Sequence, residues 1–329
     1  MTDKTPPTRG RQPVVRWLVS LGLIALIAAW VDWQQVVAQL GQVSPVAVVA
    51  ALCVTVLQVV ASAWRWQYTA GRLGLLLPIR AAVREYYLAT FLNQVLPGGI
   101  LGDVGRAWRH GRASQATIAS ANAVLIERLS GQIMLTLITL ALMILFWPFG
   151  SATASVPRQN GTVEPWVWLV VCAAMILVLW AGVRLRHTLR HALRRYLGQL
   201  RDDLRDTLLS WPAWAVQGLS SALVVGSYLL VFLLLATGLD MVAAGDVRGV
   251  SWMTLLPLMA GLLAAMAWPV TVAGWGVREG AAALLWSAAG LPPEQGVALS
   301  VAYGLLVLAS SLPGAVLLVA GLVRKPPHA

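Results

Sequence analysis

Two glycine-rich interruptions, set among long apolar runs and each carrying an arginine, constrain this chain most. The first reads Leu96-Pro97-Gly98-Gly99-Ile100-Leu101-Gly102-Asp103-Val104-Gly105-Arg106. The second reads Trp268-Pro269-Val270-Thr271-Val272-Ala273-Gly274-Trp275-Gly276-Val277-Arg278-Glu279. Both fit one template: Pro, then Gly five residues on, then Arg nine residues on. In lipid, backbone that leaves the helix survives only where protein buries it or water reaches it. Arginine at membrane depth costs several kcal/mol on insertion scales, so it needs a partner or a task. Two broken helices with a cation at each break form a pattern suited to holding an anion inside a bilayer.

The bilayer itself is read from composition. The chain has 329 residues, 58% hydrophobic and 11% charged, where a soluble protein carries about a quarter charged residues. Its apolar residues fall in runs, which predicts an all-α, polytopic membrane protein. We expect about seven to eight spanning helices plus re-entrant or broken helices, in a single membrane domain over 1–329. The net charge is +11, from 24 Lys+Arg against 13 Asp+Glu. The arginines lie between apolar runs, where the positive-inside rule accounts for them, and no nucleic-acid partner is expected. Two cysteines, Cys53 and Cys172, sit inside apolar runs, which excludes a disulfide framework and a multi-cysteine zinc site. No cofactor and no metal are expected.

Basic flanks orient the runs. Residues 1–16 read as a cytoplasmic tail before a first span, Trp17 to Val31. Val46 to Ala63 returns to a basic patch of Arg65, Arg72, Arg80 and Arg84. Glu85 to Gly105, with positive charge on both sides, reads as a re-entrant hairpin. A long helix follows from Thr117 to about Phe146, then an outer loop, then Trp166 to Val183. Trp214 to Leu239 goes out and Trp252 to Trp268 comes back. After the second break come Ala281 to Ala289, a Gly290-Leu291-Pro292-Pro293 turn and a last span, Val297 to Val323. Trp30, Trp33, Trp147, Trp166 and Trp252 mark the outer belt; Trp17, Trp64, Trp66, Trp108, Trp211 and Trp268 mark the inner one. Within 184–210, leucines at three- and four-residue spacing with arginines around them predict an interfacial helix on inner-leaflet headgroups. The expected location is the plasma (inner) membrane, multi-pass, with both termini cytoplasmic. The repeated template raises two internal repeats as a candidate architecture.

Several residues then invite a functional reading. Gly98, Gly99, Gly102 and Gly105 let backbone N–H groups approach a ligand, and Asp103 is placed to cap the helix after them. The bland alternative is a tight turn with an ordinary inside arginine, Arg106. Asn93 offers an amide to a headgroup or caps a helix end. Glu127 and Arg128 interrupt an apolar helix. Helix neighbours diverge by about 100°, so each needs its own partner. Glu127 reads either as functional or as a structural ion pair with Arg106 or Arg278. Gly131, four residues beyond Glu127, would let another element approach. Arg278 and Glu279 repeat the pattern after Gly274 and Gly276, with Pro97 and Pro269 as the helix breaks. Arg106, Arg128 and Arg278, with Asn93 and the glycines 98, 99, 102, 274 and 276, are the candidate lipid-phosphate site. Asp103, Glu127 and Glu279 are the candidate charge partners or coupling groups.

Other patterns fail on context. Asp202-Asp203-Leu204-Arg205-Asp206 resembles a magnesium-binding acidic motif but lacks a second acidic cluster, and Arg201 and Arg205 stand ready as partners. His187 and His191 have metal-ligand spacing but sit among arginines. Gly274, Gly276 and Gly280 miss the dinucleotide fingerprint by one residue.

Three segments taken together resemble a known family. They are Asn93-Gln94-Val95-Leu96-Pro97-Gly98-Gly99 running into Gly102-Asp103 and Arg106; Glu127-Arg128-Leu129-Ser130-Gly131; and Pro269 through Gly274-Trp275-Gly276-Val277-Arg278-Glu279-Gly280. The family is the transmembrane region of lysylphosphatidylglycerol synthase, its multipass flippase half, with many stand-alone relatives. The second motif departs at Thr271, where a serine is common. The soluble aminoacyl-transferase domain of the full synthase has no counterpart in this sequence. The resemblance therefore implies lipid handling or translocation rather than lysine transfer, on an anionic phospholipid or a polyprenyl-phosphate lipid. Stand-alone members are also linked to polyprenyl-phosphate sugar and hopanoid pathways. Two alternatives stay open: a membrane-embedded transferase of lipid or glycolipid synthesis, and a scaffold for a separate lipid-modifying enzyme.

Overall fold

Apolar runs in lipid must satisfy their backbone internally, and this chain does so with helices. The computed structural model describes residues 31–96, 99–150, 190–242, 250–266 and 274–323. Among these residues the helices are α1 (Trp33–Gly41), α2 (Pro45–Arg72), α3 (Ile79–Val95), α4 (Leu101–Ala113), α5 (Thr117–Gly150), α6 (Arg190–Leu204), α7 (Ala213–Gly238), α8 (Trp252–Met266), α9 (Val277–Ala288) and α10 (Pro293–Val323). A π-turn, Arg205–Leu209, joins α6 to the approach to α7. Helices α2, α5, α7 and α10 are long and apolar enough to cross a membrane, and α8 is a shorter apolar helix. The expected spans Trp17 to Val31, apart from its last residue, and Trp166 to Val183 lie outside the described residues.

Two ends of the bundle are distinct. Helices α2 and α7 run antiparallel: the Ser44 N–H donates to the Gly238 carbonyl at one end (2.9 Å). At the other end the Arg72 guanidinium donates to the Asp206 carbonyl (2.7 Å) and Ser210 Oγ (2.8 Å), just before α7. That second end collects Arg72, Arg80, Arg84, Arg109, Arg112, Arg201 and Arg205, whereas Asp32, Asp240 and Glu294 mark the first. The face between the ends is apolar and uncovered. Leu125, Leu129, Ile133, Leu137, Leu140 and Ile144 form an exposed stripe along α5, as do Leu219, Leu223 and Leu230 on α7. A stripe of this kind fits contact with lipid chains.

The two interrupted segments form two hairpins that enter from opposite ends. Helix α3 leaves the basic end and α4 returns to it. Helix α8 starts at Trp252, beside the acidic end, and α9 returns there to pack Ala283 with Val36, Val297 and Ala298. Helix α10 packs against both hairpins, through α3 and α9. Its contacts set their heights. Gly304 of α10 leaves no room for a Cβ beside the Arg278 guanidinium, and Gly314 leaves none beside the Tyr87 carbonyl. Eight residues up α3 from Tyr87 is Val95, and eight back along α10 from Gly314 is Leu306, two residues from Gly304. At 1.5 Å per residue the two tips differ in height by only about 3 Å.

Three expectations need correction. Helix α2 does not stop at Ala63 but runs on to Arg72. Arg65 and Trp66 are therefore carried into the bundle and buried, rather than set in the inner patch and inner aromatic belt. The first hairpin begins at Ile79, before Glu85, so Glu85 lies along its arm. Asp203 does not pair with Arg201 or Arg205. It accepts from the amide of fully buried Asn122 (2.6 Å), whose own oxygen accepts from the Tyr196 hydroxyl (2.9 Å). A buried amide must find partners, and this one takes them from α6 and so docks that helix on α5. Burial and the Asp203 carboxylate push the Tyr196 phenol above its usual range, so it stays a donor. Trp64, Trp108, Trp211 and Trp252 are exposed, as belt residues should be.

Gly102 shows why the first hairpin closes. A Cβ there would overlap the Ala89 backbone, so α3 and α4 touch at this point. Gly102→Ala is expected to lower stability by about 1–3 kcal/mol, read as a fall in the thermal midpoint of the detergent-solubilised protein. Gly198→Ala, inside helix α6 where the added carbon meets nothing within 4 Å, should hold or raise the midpoint.

Candidate functional site

Beside the first break, charges from three helices meet a hydroxyl from a fourth. Glu127 on α5 is fully buried and accepts on both oxygens: Arg65 of α2 donates to Oε1 (2.5 Å) and Arg106 of α4 to Oε2 (2.7 Å). The Tyr86 hydroxyl of α3 adds a third donor to Oε1 (3.1 Å). Arg106 also donates through Nε to Asp103 Oδ1 (2.9 Å), one turn earlier on α4. Its guanidinium is sandwiched between the rings of Trp66 (4.6 Å) and Tyr86 (4.5 Å). Arg128 shares that carboxylate: its Nη2 donates to Oδ1 (2.8 Å) and lies 2.7 Å from Oδ2. Glu127 and Arg128 thus have separate partners, as their divergence on the helix demands. Gly131 fits the same logic: a Cβ there would press on the Arg65 guanidinium at 3.2 Å.

The break is stitched by Asn93. Its oxygen accepts from the Gly102 N–H (2.8 Å) and its amide donates to Asp103 Oδ2 (3.0 Å). Asp103 does not cap α4; it lies inside the first turn, with Ile100 at the cap, and its carboxylate is spent on Arg106, Arg128 and Asn93. Pro97 and Gly98 lie outside the described residues, and Gly99 takes φ +61° beside them.

The second tip is simpler. Gly276 has φ +88°, a conformation open to glycine and strained for other residues. Its N–H donates to Glu279 Oε2 (2.7 Å). Arg278 donates twice to Glu279 Oε1, through Nε (2.9 Å) and Nη2 (2.7 Å), and Nε also reaches Ser300 Oγ of α10 (2.9 Å). The guanidinium lies over the Trp275 ring at 4.6 Å. Gly274 adopts φ +79° at the start of this turn, and Pro269 lies outside the described residues.

The Arg278 guanidinium also lies 5.9 Å from the ring of Tyr303 on α10. Tyr303 stacks on Phe232 at 4.1 Å. The three candidate arginines are not equivalent. Arg106 is 0% exposed and Arg278 1%. The Arg128 side chain is 42% accessible, so it is the exposed one of the three. Arg65, Trp66, Tyr86, Ser300 and Tyr303 are participants that sequence reasoning missed. The available signal was the length of α2, since Arg65 lies seven residues inside its end, about 10 Å.

An all-helical bundle with several membrane-length helices, two interrupted hairpins and charge at both tips defines a multi-pass membrane protein with a polar centre. Residues 14–314 match the family model for the lysylphosphatidylglycerol synthase TM region. The chain belongs to that family, and a role tied to membrane lipid follows. No curated protein and no solved structure matches the chain.

Removing one partner of a buried ion pair leaves a charge uncompensated, at about 3–5 kcal/mol. Glu127→Gln should therefore destabilise strongly, because it strands Arg65 and leaves Arg106 with Asp103 alone. The double variant Glu127→Gln with Arg65→Gln should recover part of the loss, so that the effects are non-additive in thermal denaturation. Simple addition would show that the pair is not coupled.

Proposed function

We propose that this protein is a lipid flippase. It binds the phosphate of an anionic phospholipid or polyprenyl-phosphate lipid at the exposed Arg128, between the two hairpins, and moves the headgroup across the bilayer. The supporting observation is that two oppositely directed hairpins reach similar heights on α10, one carrying Arg278 and Glu279 in its turn and the other carrying Asp103 and Arg106 in the arm just after its turn. Hairpins entering from opposite ends match the inverted-repeat logic of transporters, in which a central site is reached alternately from each side. In this reading Arg128 meets the phosphate, while Arg106 and Arg278 shape the field from behind. Asp103, Glu127 and Glu279 hold the arginines when no lipid is bound. The arginine-rich end is the cytoplasmic one by the positive-inside rule, and α6 lies there on anionic headgroups.

A transferase would need a carboxylate free to act as base. Asp103, Glu127 and Glu279 each accept from at least one guanidinium, so transport fits better. In reconstituted vesicles carrying fluorescent phosphatidylglycerol, wild-type protein should speed exchange between leaflets. Arg128→Gln should slow it by about tenfold or more, the equivalent of one lost charge-assisted hydrogen bond. Equal rates with and without protein, for phosphatidylglycerol and for a polyprenyl-phosphate probe, would refute transport.

A further inference from the structure

The charges inside the bundle do not cancel. Arg65, Arg106, Arg128 and Arg278 face three carboxylates: Asp103, Glu127 and Glu279. Glu85 answers Arg84 and Arg109 separately, toward the basic end. The two apolar runs outside the described residues, 17–31 and 166–183, contain no Asp, Glu, Lys or Arg, nor do Pro97, Gly98 and residues 267–273. One positive charge is therefore left over at the centre. It is not spread evenly. At the second tip Arg278 and Glu279 balance each other, so the surplus belongs to the first tip. There three guanidinium groups share two carboxylates. Buried donors remain unused at this tip among the described residues: Arg65 Nε, Arg106 Nη1 and Arg128 Nε. Buried donors of this kind ordinarily have partners, so this cluster has hydrogen-bonding capacity as well as charge left over.

Geometry then selects the contact. Arg106 is walled by two rings and held by two carboxylates, and Arg65 is committed to Glu127 and Ser221 Oγ (3.0 Å). Arg128 alone of the three is exposed along its side chain, with one edge on Asp103. Every uncompensated charge at this depth costs several kcal/mol. A ligand with one negative charge brings the centre to neutrality; a ligand with two carries it past neutrality to the opposite sign.

We infer that the site at Arg128 accepts a phosphodiester monoanion in preference to a phosphomonoester or diphosphate, with Arg128 as the contacting cation and Arg65 and Arg106 as positioning residues. This rests on the proposed lipid-binding function and narrows its substrate class. Above the second phosphate pKa of about 6, the two lipid classes differ by a whole charge. At pH 8 the full-length protein in detergent is titrated with dioctanoyl phosphatidylglycerol, farnesyl phosphate, farnesyl diphosphate and dimethyl phosphate. Wild type should bind the phosphatidylglycerol probe at least about tenfold more tightly than either farnesyl probe. Arg128→Gln should lose about tenfold on that probe while keeping its gel-filtration profile. Asp103→Asn, which leaves two surplus charges, should shift preference toward farnesyl phosphate, a change that loss of structure alone would not produce.

Equal or tighter binding of the farnesyl probes by wild type overturns the inference, as does Arg128→Gln binding like wild type. Should either variant fail to fold, the wild-type ranking decides. Dimethyl phosphate binding as tightly as the lipid would keep the charge rule and remove lipid as the ligand, and so would sink the proposed function alone. No binding of any lipid probe would sink both.

Discussion

Glu127 is the residue on which the bundle closes. A carboxylate at this depth would be untenable alone, and so would the two arginines it holds. Together they tie α2, α4 and α5 at one point, with Tyr86 bringing in α3. The strength of the arrangement is geometric. Both carboxylate oxygens are used, and the Arg106 plane is fixed between two rings, so the charges have little freedom to rearrange. A centre held this firmly can present a fixed electric field to something that moves past it. The accessible element is then Arg128, which shares Asp103 with Arg106 but opens outward.

The hairpins place this centre. Neither α3–α4 nor α8–α9 crosses the bundle, and each instead delivers a charged turn to its middle. Close contact with α10 through Gly304 and Gly314 sets their heights. The two tips differ in chemistry. One is a shared cluster with surplus positive charge, and the other is a balanced Arg278–Glu279 pair on a glycine turn. An inverted arrangement with unequal tips is suited to a path along which one end attracts an anion and the other lets it go.

Much of this was legible in the sequence. Long apolar runs gave the helices, and the doubled Pro-Gly-Arg template marked the breaks, one between Val95 and Leu101 and the other ending at Gly276. The helical divergence of Glu127 and Arg128 correctly required separate partners. What could not be read was which partners. Arg65 looks like a boundary residue because arginine usually ends a span; only the extension of α2 to Arg72 takes it inside. Asp103 looks like a cap by position, yet the surrounding guanidinium groups outbid the backbone for its oxygens. Asn122 carries no motif at all, and its link to Asp203 depends on α6 folding back across the basic end. Long-range pairings of this sort, over 81 residues in that case, leave no local periodicity to find.

The central claim is that two tips from opposite sides meet in a water-reachable centre. Nitroxide labels at Ile100 and Trp275, introduced one at a time with Cys53 and Cys172 replaced, would test it by power-saturation spectroscopy in vesicles. Both tip labels should relax readily with a water-soluble nickel reagent and report similar depths, while a label at lipid-facing Leu137 should respond to oxygen instead. Tip labels that respond only to oxygen, or that report depths near opposite headgroup layers, would contradict the account.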